Sequence, residues 1–220
     1  MRPHTTHTTI HSPDRALFSF LVVIAGKIEE RLIFSGQGCH QGDNMDFIEM
    51  TTPPLSNILP TLFAEIVFGS PNPETPTFML NRGDAGLLAS LDRITFDAAS
   101  MGTDDGASIA AHVEHLRYGF AILNRWVSGE EAPWANADWT QAWKTRTVTE
   151  AEWQTLRDEL RREAESWSRA LAEPREMGNA AARWVTGSVA HTAYHLGAIR
   201  QIGRAARGPT AEDEKPYQSR

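Results

Sequence analysis

The sequence is poor in cysteine and in lysine, and the shortage of cysteine excludes the most. Its 220 residues include a single cysteine, Cys39, and three lysines. One cysteine excludes an intrachain disulfide and a zinc cage built from thiolates. Cys39 lies in a glycine-rich stretch, residues 35–42, outside the part of the chain with helical patterning. We therefore assign it no catalytic role.

Clusters of basic residues and long apolar runs are also missing. The formal net charge is −7, and no dense run of lysine and arginine offsets it. This balance disfavours a nucleic-acid partner held through its phosphates. The apolar run from Ala16 to Gly26 has eleven residues, which are too few to cross a bilayer. We therefore expect a cytoplasmic protein that binds neither nucleic acid nor a membrane.

Residues 1–50 differ in character from the rest of the chain. Residues 1–15 are rich in threonine and histidine and are followed by the apolar run. Arg15 in front of that run would suit the core of a signal peptide. Met45 or Met50, alternatively, would be the natural start if the reading frame is over-extended. We favour a dispensable or disordered extension, whose scattered histidines would bind metal only loosely.

Hydrophobic spacing predicts helices, with no convincing pattern for β-strands. A short amphipathic helix from Asn57 to Phe68 precedes four longer helical patterns. Four helices of such length predict an all-α four-helix bundle, here with an additional short N-terminal helix. The four longer patterns span about residues 84–100, 108–127, 149–173 and 179–206. The predicted domains are an extension over 1–50, the helical bundle over 51–207 and a polar tail over 208–220.

Two of these helices have clear start signals. Ser108 is suited to the N-cap of its helix, and Thr149 with Glu152 forms a capping box. Behind Thr149, apolar residues recur at spacings of 3, 4, 4, 3 and 4, while the other face of that helix is charged. This pattern predicts one buried and one solvated face. The apolar residues are Trp153, Leu156, Leu160, Ala164, Trp167 and Leu171.

A long connection, about residues 129–148, separates the second and third of the long helices. It carries three tryptophans, Trp134, Trp139 and Trp143. Connections in compact domains are usually shorter unless they have a function. The three indoles either pack over the core or line a pocket as a lid, and packing is the favoured single role.

Four histidines remain after residue 44, in two pairs. His112 and His115 lie on one predicted helix, and His191 and His195 lie on another. Spacings of three and four place both rings of a pair on one side of a helix, close enough to share an ion. His191 and His195 lie within the apolar stripe of their helix, whereas His112 is nearer the stripe centre than His115. Periodicity alone therefore slightly favours His112 as the inward residue.

Buried histidines have an ordinary structural explanation as well. A single inward imidazole is usually hydrogen-bonded to a carbonyl or a carboxylate in the core. For two inward histidines on one face of a helix, a metal site and a structural role are about equally favoured. The spacing His191-x-x-x-His195 lacks the central glutamate of the zinc-protease motif, so that class of enzyme is not predicted.

Two segments together resemble a known family. Residues 108–116, ending His115-Leu116, and residues 191–199, with His191, His195 and a following glycine, are similar to the DinB/YfiT-like superfamily of four-helix bundles. The family pattern selects His115, His191 and His195 as the metal ligands and leaves His112 as a neighbour or a reserve ligand. The family often has glutamine where this chain has Ala198, so any role of that glutamine is not carried over.

The resemblance implies a divalent metal, Zn, Ni, Fe or Mn, held by three histidines with coordination positions left open. Three protein ligands with vacancies are typical of catalytic sites. Such an ion lowers the pKa of a bound water or thiol. The family includes enzymes that use low-molecular-weight thiols, so we expect a small-molecule substrate and a thiol S-transferase or related hydrolase. The alternative is a non-catalytic, dimeric stress or binding protein with structural or vestigial histidines.

Other candidate residues follow less directly from the sequence. No general base stands out, because nothing in the pattern turns Glu114 or Asp105 inward. Aromatic residues near the histidines are the weaker candidates for lining a pocket. They are Trp134, Trp139, Trp143 and Tyr194.

Overall fold

The structure, a computed structural model, describes residues 55–70, 77–102 and 106–210. Cys39, Asp105, the predicted extension 1–50 with its two alternative explanations, and most of the predicted tail lie outside these ranges. Within them the regular structure is helical, and the sole β feature is an isolated bridge between Gly102 and Ser108. None of the described helices combines the length and hydrophobicity of a membrane span.

The prediction of an all-α bundle is confirmed. Four long helices, α1, α4, α5 and α6, surround one core; α1 and α4 each contact both α5 and α6. The α-helices of the described residues are α1 (Leu55–Phe68), α2 (Gly86–Asp92), α3 (Phe96–Ala99), α4 (Ile109–Val127), α5 (Glu150–Ala172) and α6 (Asn179–Ile202). Short 3-10 turns cover Pro133–Asn136, Ala142–Lys144 and Arg204–Ala206.

Both predicted start signals are present. The Ser108 hydroxyl accepts a hydrogen bond from the Ala111 N–H at 3.2 Å. Thr149 and Glu152 form the complete capping box, with the Thr149 N–H donating to the Glu152 carboxylate at 2.8 Å. These caps satisfy backbone N–H groups that have no partner inside the helix. All six apolar residues predicted for the inner face of α5 are buried.

The prediction of one helix over residues 84–100 is wrong. Two short helices, α2 and α3, occupy this segment, and Thr95 begins the second one as its N-cap. The Ile94 carbonyl lies between them and accepts a hydrogen bond from the Trp153 indole N–H at 2.8 Å. A continuous helix would use that carbonyl internally. The helix predicted over 57–68 is instead the fourth long member of the bundle, as α1.

Two close connections hold the ends of these helices. Gly69 and Gly86 both have φ of +78°, and a Cβ on Gly86 would lie 2.4 Å from the Gly69 nitrogen. The end of α1 thus touches the start of α2. Asp84 accepts two hydrogen bonds of 2.7 Å from the Arg200 guanidinium of α6. α6 ends at Ile202, short of the predicted Ala206, and the 3-10 turn that follows is held by Arg200 Nε donating to the Ala206 carbonyl.

Candidate metal centre

The four paired histidines meet between α4 and α6. His112 and His115 come from α4, His191 and His195 from α6. The exposed fractions are 8% for His112, 4% for His115 and 1% for His195, and His191 is half-buried. Both α4 histidines therefore turn inward, because residues three apart differ by only about 60° around a helix and the buried stripe is wider than that.

Three Nε2 atoms form the centre of this cluster. His191 Nε2 lies 2.9 Å from His115 Nε2 and 3.1 Å from His195 Nε2. Ligand atoms of these three residues all lie within 4.8 Å of one another. The structure thus brings together the three residues that the sequence resemblance selects.

The spacing of these atoms suits a shared ion. Two nitrogens about 2.0–2.1 Å from one ion, at angles between 90° and 109°, are separated by about 2.8–3.4 Å. Both measured Nε2 separations lie in that range. Hydrogen bonds alone account for only part of the cluster. Each nitrogen of a neutral imidazole makes one hydrogen bond, either as a donor through its N–H or as an acceptor through its lone pair. His191 Nε2 has two nitrogen neighbours, an arrangement compatible with three lone pairs around one cation.

Burial keeps the four rings neutral. It lowers the pKa of His112 and of His191 from the usual 6.5 to about 4, with the neighbouring His112 charge contributing to the latter. Burial, followed by repulsion from His191 and His112, lowers the pKa of His115 to about 3. The pKa of His195 is also well below its usual value, chiefly through burial. Neutral imidazole is the form that binds metal, so no proton has to leave at neutral pH.

Two tryptophans of the long connection cover the histidines. Trp143 stacks on His115 with ring centroids 4.5 Å apart and meets His112 edge-on at 5.4 Å. Trp139 lies 5.9 Å from the His115 ring. These two residues therefore pack directly against the histidine rings, as the favoured role of the tryptophans predicts.

The remaining aromatic candidates, Trp134 and Tyr194, are placed differently from each other. Trp134 stacks on Trp184 of α6 at 5.5 Å, and Trp184 also stacks on Trp139 at 5.7 Å. Helical spacing places Trp184 in the same apolar stripe as His191, two turns before it, but did not single it out beside the tryptophans of the connection. Tyr194 is 47% exposed, and its ring lies 5.0 Å from that of His195.

No carboxylate belongs to the nitrogen cluster among the residues that the structure describes. Glu114, on the α4 turn between the two histidines, is held by Arg117 through hydrogen bonds of 2.7 and 2.6 Å. That ion pair occupies both carboxylate oxygens. Glu114 therefore faces Arg117 and not the histidine nitrogens, in agreement with the absence of any inward signal for it in the sequence.

The comparisons with known proteins bear on this site. A family model described as the DinB superfamily matches residues 50–199. Searches of curated proteins and of solved structures found no match. The matched segment is well over half of the 220 residues and carries all four clustered histidines. On this match and the helical bundle around the cluster, the chain belongs to the DinB superfamily.

Proposed function

We propose that this protein is a metal-dependent enzyme whose divalent ion is held by His115, His191 and His195. The observation that carries the proposal is the convergence of three Nε2 atoms from neutral, buried imidazoles. A donor set of imidazole nitrogens alone suits Zn, Ni or Fe, whereas Mn prefers oxygen ligands. Three protein ligands leave positions for a water or a substrate.

The residues around the cluster would hold and shield the ion. Trp143, stacked on His115, fixes that ring and excludes water from its face. His191 is half-buried and Tyr194 is exposed beside it, so a small molecule would approach along this edge. When bound, a divalent ion lowers the pKa of a water or thiol attached to it.

We further propose a low-molecular-weight thiol as the substrate class and S-transfer as the reaction. Membership of the DinB superfamily supports this choice, as does the affinity of thiolates for Zn and Fe. The described residues place no carboxylate among the ligand atoms. A substrate that becomes an anion by binding the ion itself therefore suits the site better than one that needs a carboxylate as general base.

Metal analysis of the full chain, purified without a tag, tests the metal site. We expect about one Zn, Ni or Fe per chain and its loss in His191→Ala. A matched control replaces His4, His7 and His11 together by alanine, which removes the loose N-terminal ligands and should leave the metal content unchanged. A metal-free wild-type chain whose stability is insensitive to chelators would contradict the proposal, as would metal retained in His191→Ala.

The reaction needs a separate assay. Conjugation of an electrophile with a panel of cellular thiols should be faster with the metal-loaded wild type than with the chelator-treated protein or His191→Ala. Equal rates in all three, for every thiol, would leave a metal-binding protein without transferase activity. Hydrolysis of the electrophile with no thiol consumed would favour the related hydrolase.

A further inference from the structure

His112 is buried beside the three-histidine group without belonging to it. It is 8% exposed, and its Nδ1 lies 2.8 Å from Nδ1 of His195. The group whose ligand atoms lie within 4.8 Å of one another contains His115, His191 and His195 only, among the residues described. His112 therefore contacts the far side of one proposed ligand.

The direction of this hydrogen bond follows from the proposed ligation. If the Nε2 lone pair of His195 faces the ion, the neutral ring carries its proton on Nδ1. That N–H then points at His112 Nδ1, which must accept it with a lone pair. His112 consequently carries its own proton on Nε2. The 2.8 Å separation is that of a well-formed hydrogen bond.

His115 provides a contrast at the same site. Its Nδ1 is buried and has no hydrogen-bond partner among the described residues. Its ring is held by stacking on Trp143 instead. The Nδ1 of His195, by comparison, has an acceptor in His112 Nδ1. The His112 ring also packs edge-on against Trp143.

We propose that His112 is a positioning residue: it accepts the His195 Nδ1–H and thereby fixes the tautomer and orientation in which His195 binds the ion. This inference rests on the metal site proposed above. Partners of this kind usually change metal affinity by about 10–100-fold when they are removed. His112 thus acts on the metal through His195, with no contact to the ion.

Three substitutions test the acceptor at this position. His112→Phe keeps an aromatic ring and removes the acceptor, so the Kd for Zn²⁺ should rise about 10–100-fold. His112→Asn places an amide oxygen where Nδ1 stands and should bind Zn²⁺ nearly as well as the wild type. His112→Gln places its oxygen one bond farther out and should bind as weakly as His112→Phe. If the phenylalanine variant does not fold, the asparagine and glutamine variants still decide the question.

Competition with a chromophoric chelator gives the Kd values, and His195→Ala is the positive control for loss of a ligand. Wild-type affinity in His112→Phe, with affinity lost in His195→Ala, overturns this inference and leaves the metal site standing. Equal affinities of the asparagine and glutamine variants also overturn it. A wild-type chain that binds no Zn²⁺ removes the proposed function and this inference together.

Nitrogen NMR of the imidazoles gives an independent readout. In the Zn²⁺-loaded wild type, His195 should carry its proton on Nδ1 and His112 on Nε2. A merely space-filling His112 would have no preferred tautomer. A proton on Nδ1 of His112 would overturn the inference directly.

Discussion

Lowering the pH from 7 to 5 should strongly destabilise the metal-free protein. Histidines 112, 115, 191 and 195 have pKa values lowered to about 4, to about 3 or well below 6.5, mainly by burial. In the unfolded chain they titrate near 6.5. The unfolded state therefore binds more protons as the pH falls through the window between about 6.5 and 4, and stability falls with it.

The size of the effect follows from these pKa values. At pH 5 each of His112, His115 and His191 is almost fully protonated in the unfolded chain and neutral in the fold, which costs about 2 kcal/mol of the free energy of unfolding per residue. Together these three amount to about 6 kcal/mol, and His195 adds a loss of the same sign. Since whole domains are stable by about 5–15 kcal/mol, the chelator-treated protein should be close to unfolding at pH 5.

Urea denaturation followed by far-UV circular dichroism, in the presence of EDTA, measures this loss. The variant His112→Phe gives the matched comparison, because its ring cannot take up a proton. The difference in unfolding free energy between pH 7 and pH 5 should be smaller in this variant by at least about 2 kcal/mol. Removing His112 also removes its repulsion of the other three histidines, which is one cause of their lowered pKa values, so the difference includes their response as well.

Two outcomes would refute this reasoning. One is a free energy of unfolding that stays constant from pH 7 to pH 5 in the metal-free wild type. The other is the same pH dependence in the wild type and in His112→Phe. Either outcome would mean that the pKa values of the histidines are not lowered in the folded state. The lowered pKa values also imply that metal affinity persists to lower pH than it would for imidazoles with the usual pKa of 6.5.

Two further predictions concern the connections that hold the bundle. Arg200→Met leaves the carboxylate of Asp84, 3% exposed, without its cation, and should cost about 3–5 kcal/mol in urea denaturation; full stability in this variant would show that the pair contributes nothing. Gly86→Ala forces a Cβ to within 2.4 Å of the Gly69 nitrogen at positive φ and should lower Tm markedly. Gly187→Ala is the matched control, because a Cβ there meets open space and should stabilise α6 by about 0.5–1 kcal/mol. Equal Tm shifts in the two alanine variants would contradict the close approach.

Local signals in the sequence were enough for α4 and α5. Ser108 and the Thr149–Glu152 box act within one turn of the helix they begin, and the spacing of the apolar residues of α5 reports a single buried face. Such information is contained in a few consecutive residues. These local signals do not depend on contacts with residues distant in the sequence.

The break between α2 and α3 could not be read in the same way. Its apolar residues fit one helix, but the Ile94 carbonyl is used by the indole of Trp153, 59 residues later. Arg93 likewise donates to the carbonyls of Ala205 and Arg207. These partners are distant in sequence, so a local pattern contains no trace of them.

The histidine cluster was predicted in part. Helical phase placed His191 and His195 on the inner face, and both belong to the cluster. On α4, phase slightly favoured His112, whereas the family pattern selected His115, whose Nε2 lies beside that of His191. Phase gives the direction of a Cβ but not which ring nitrogen faces which neighbour. Which nitrogens face each other depends on the side-chain conformations and on the position of α6. The contact between His112 and His195 therefore could not be predicted from the sequence.

The two helices that supply the histidines also have a thermodynamic consequence. His115 and His191 are 76 residues apart along the chain, and all of α5 lies between them. A bond closing a loop of this length removes unfolded-state entropy amounting to about 4.5 kcal/mol. A chain with one cysteine cannot obtain such a cross-link from an intrachain disulfide. Coordination across α4 and α6 would supply it reversibly, so the availability of metal in the cell would set how readily the bundle opens to proteases.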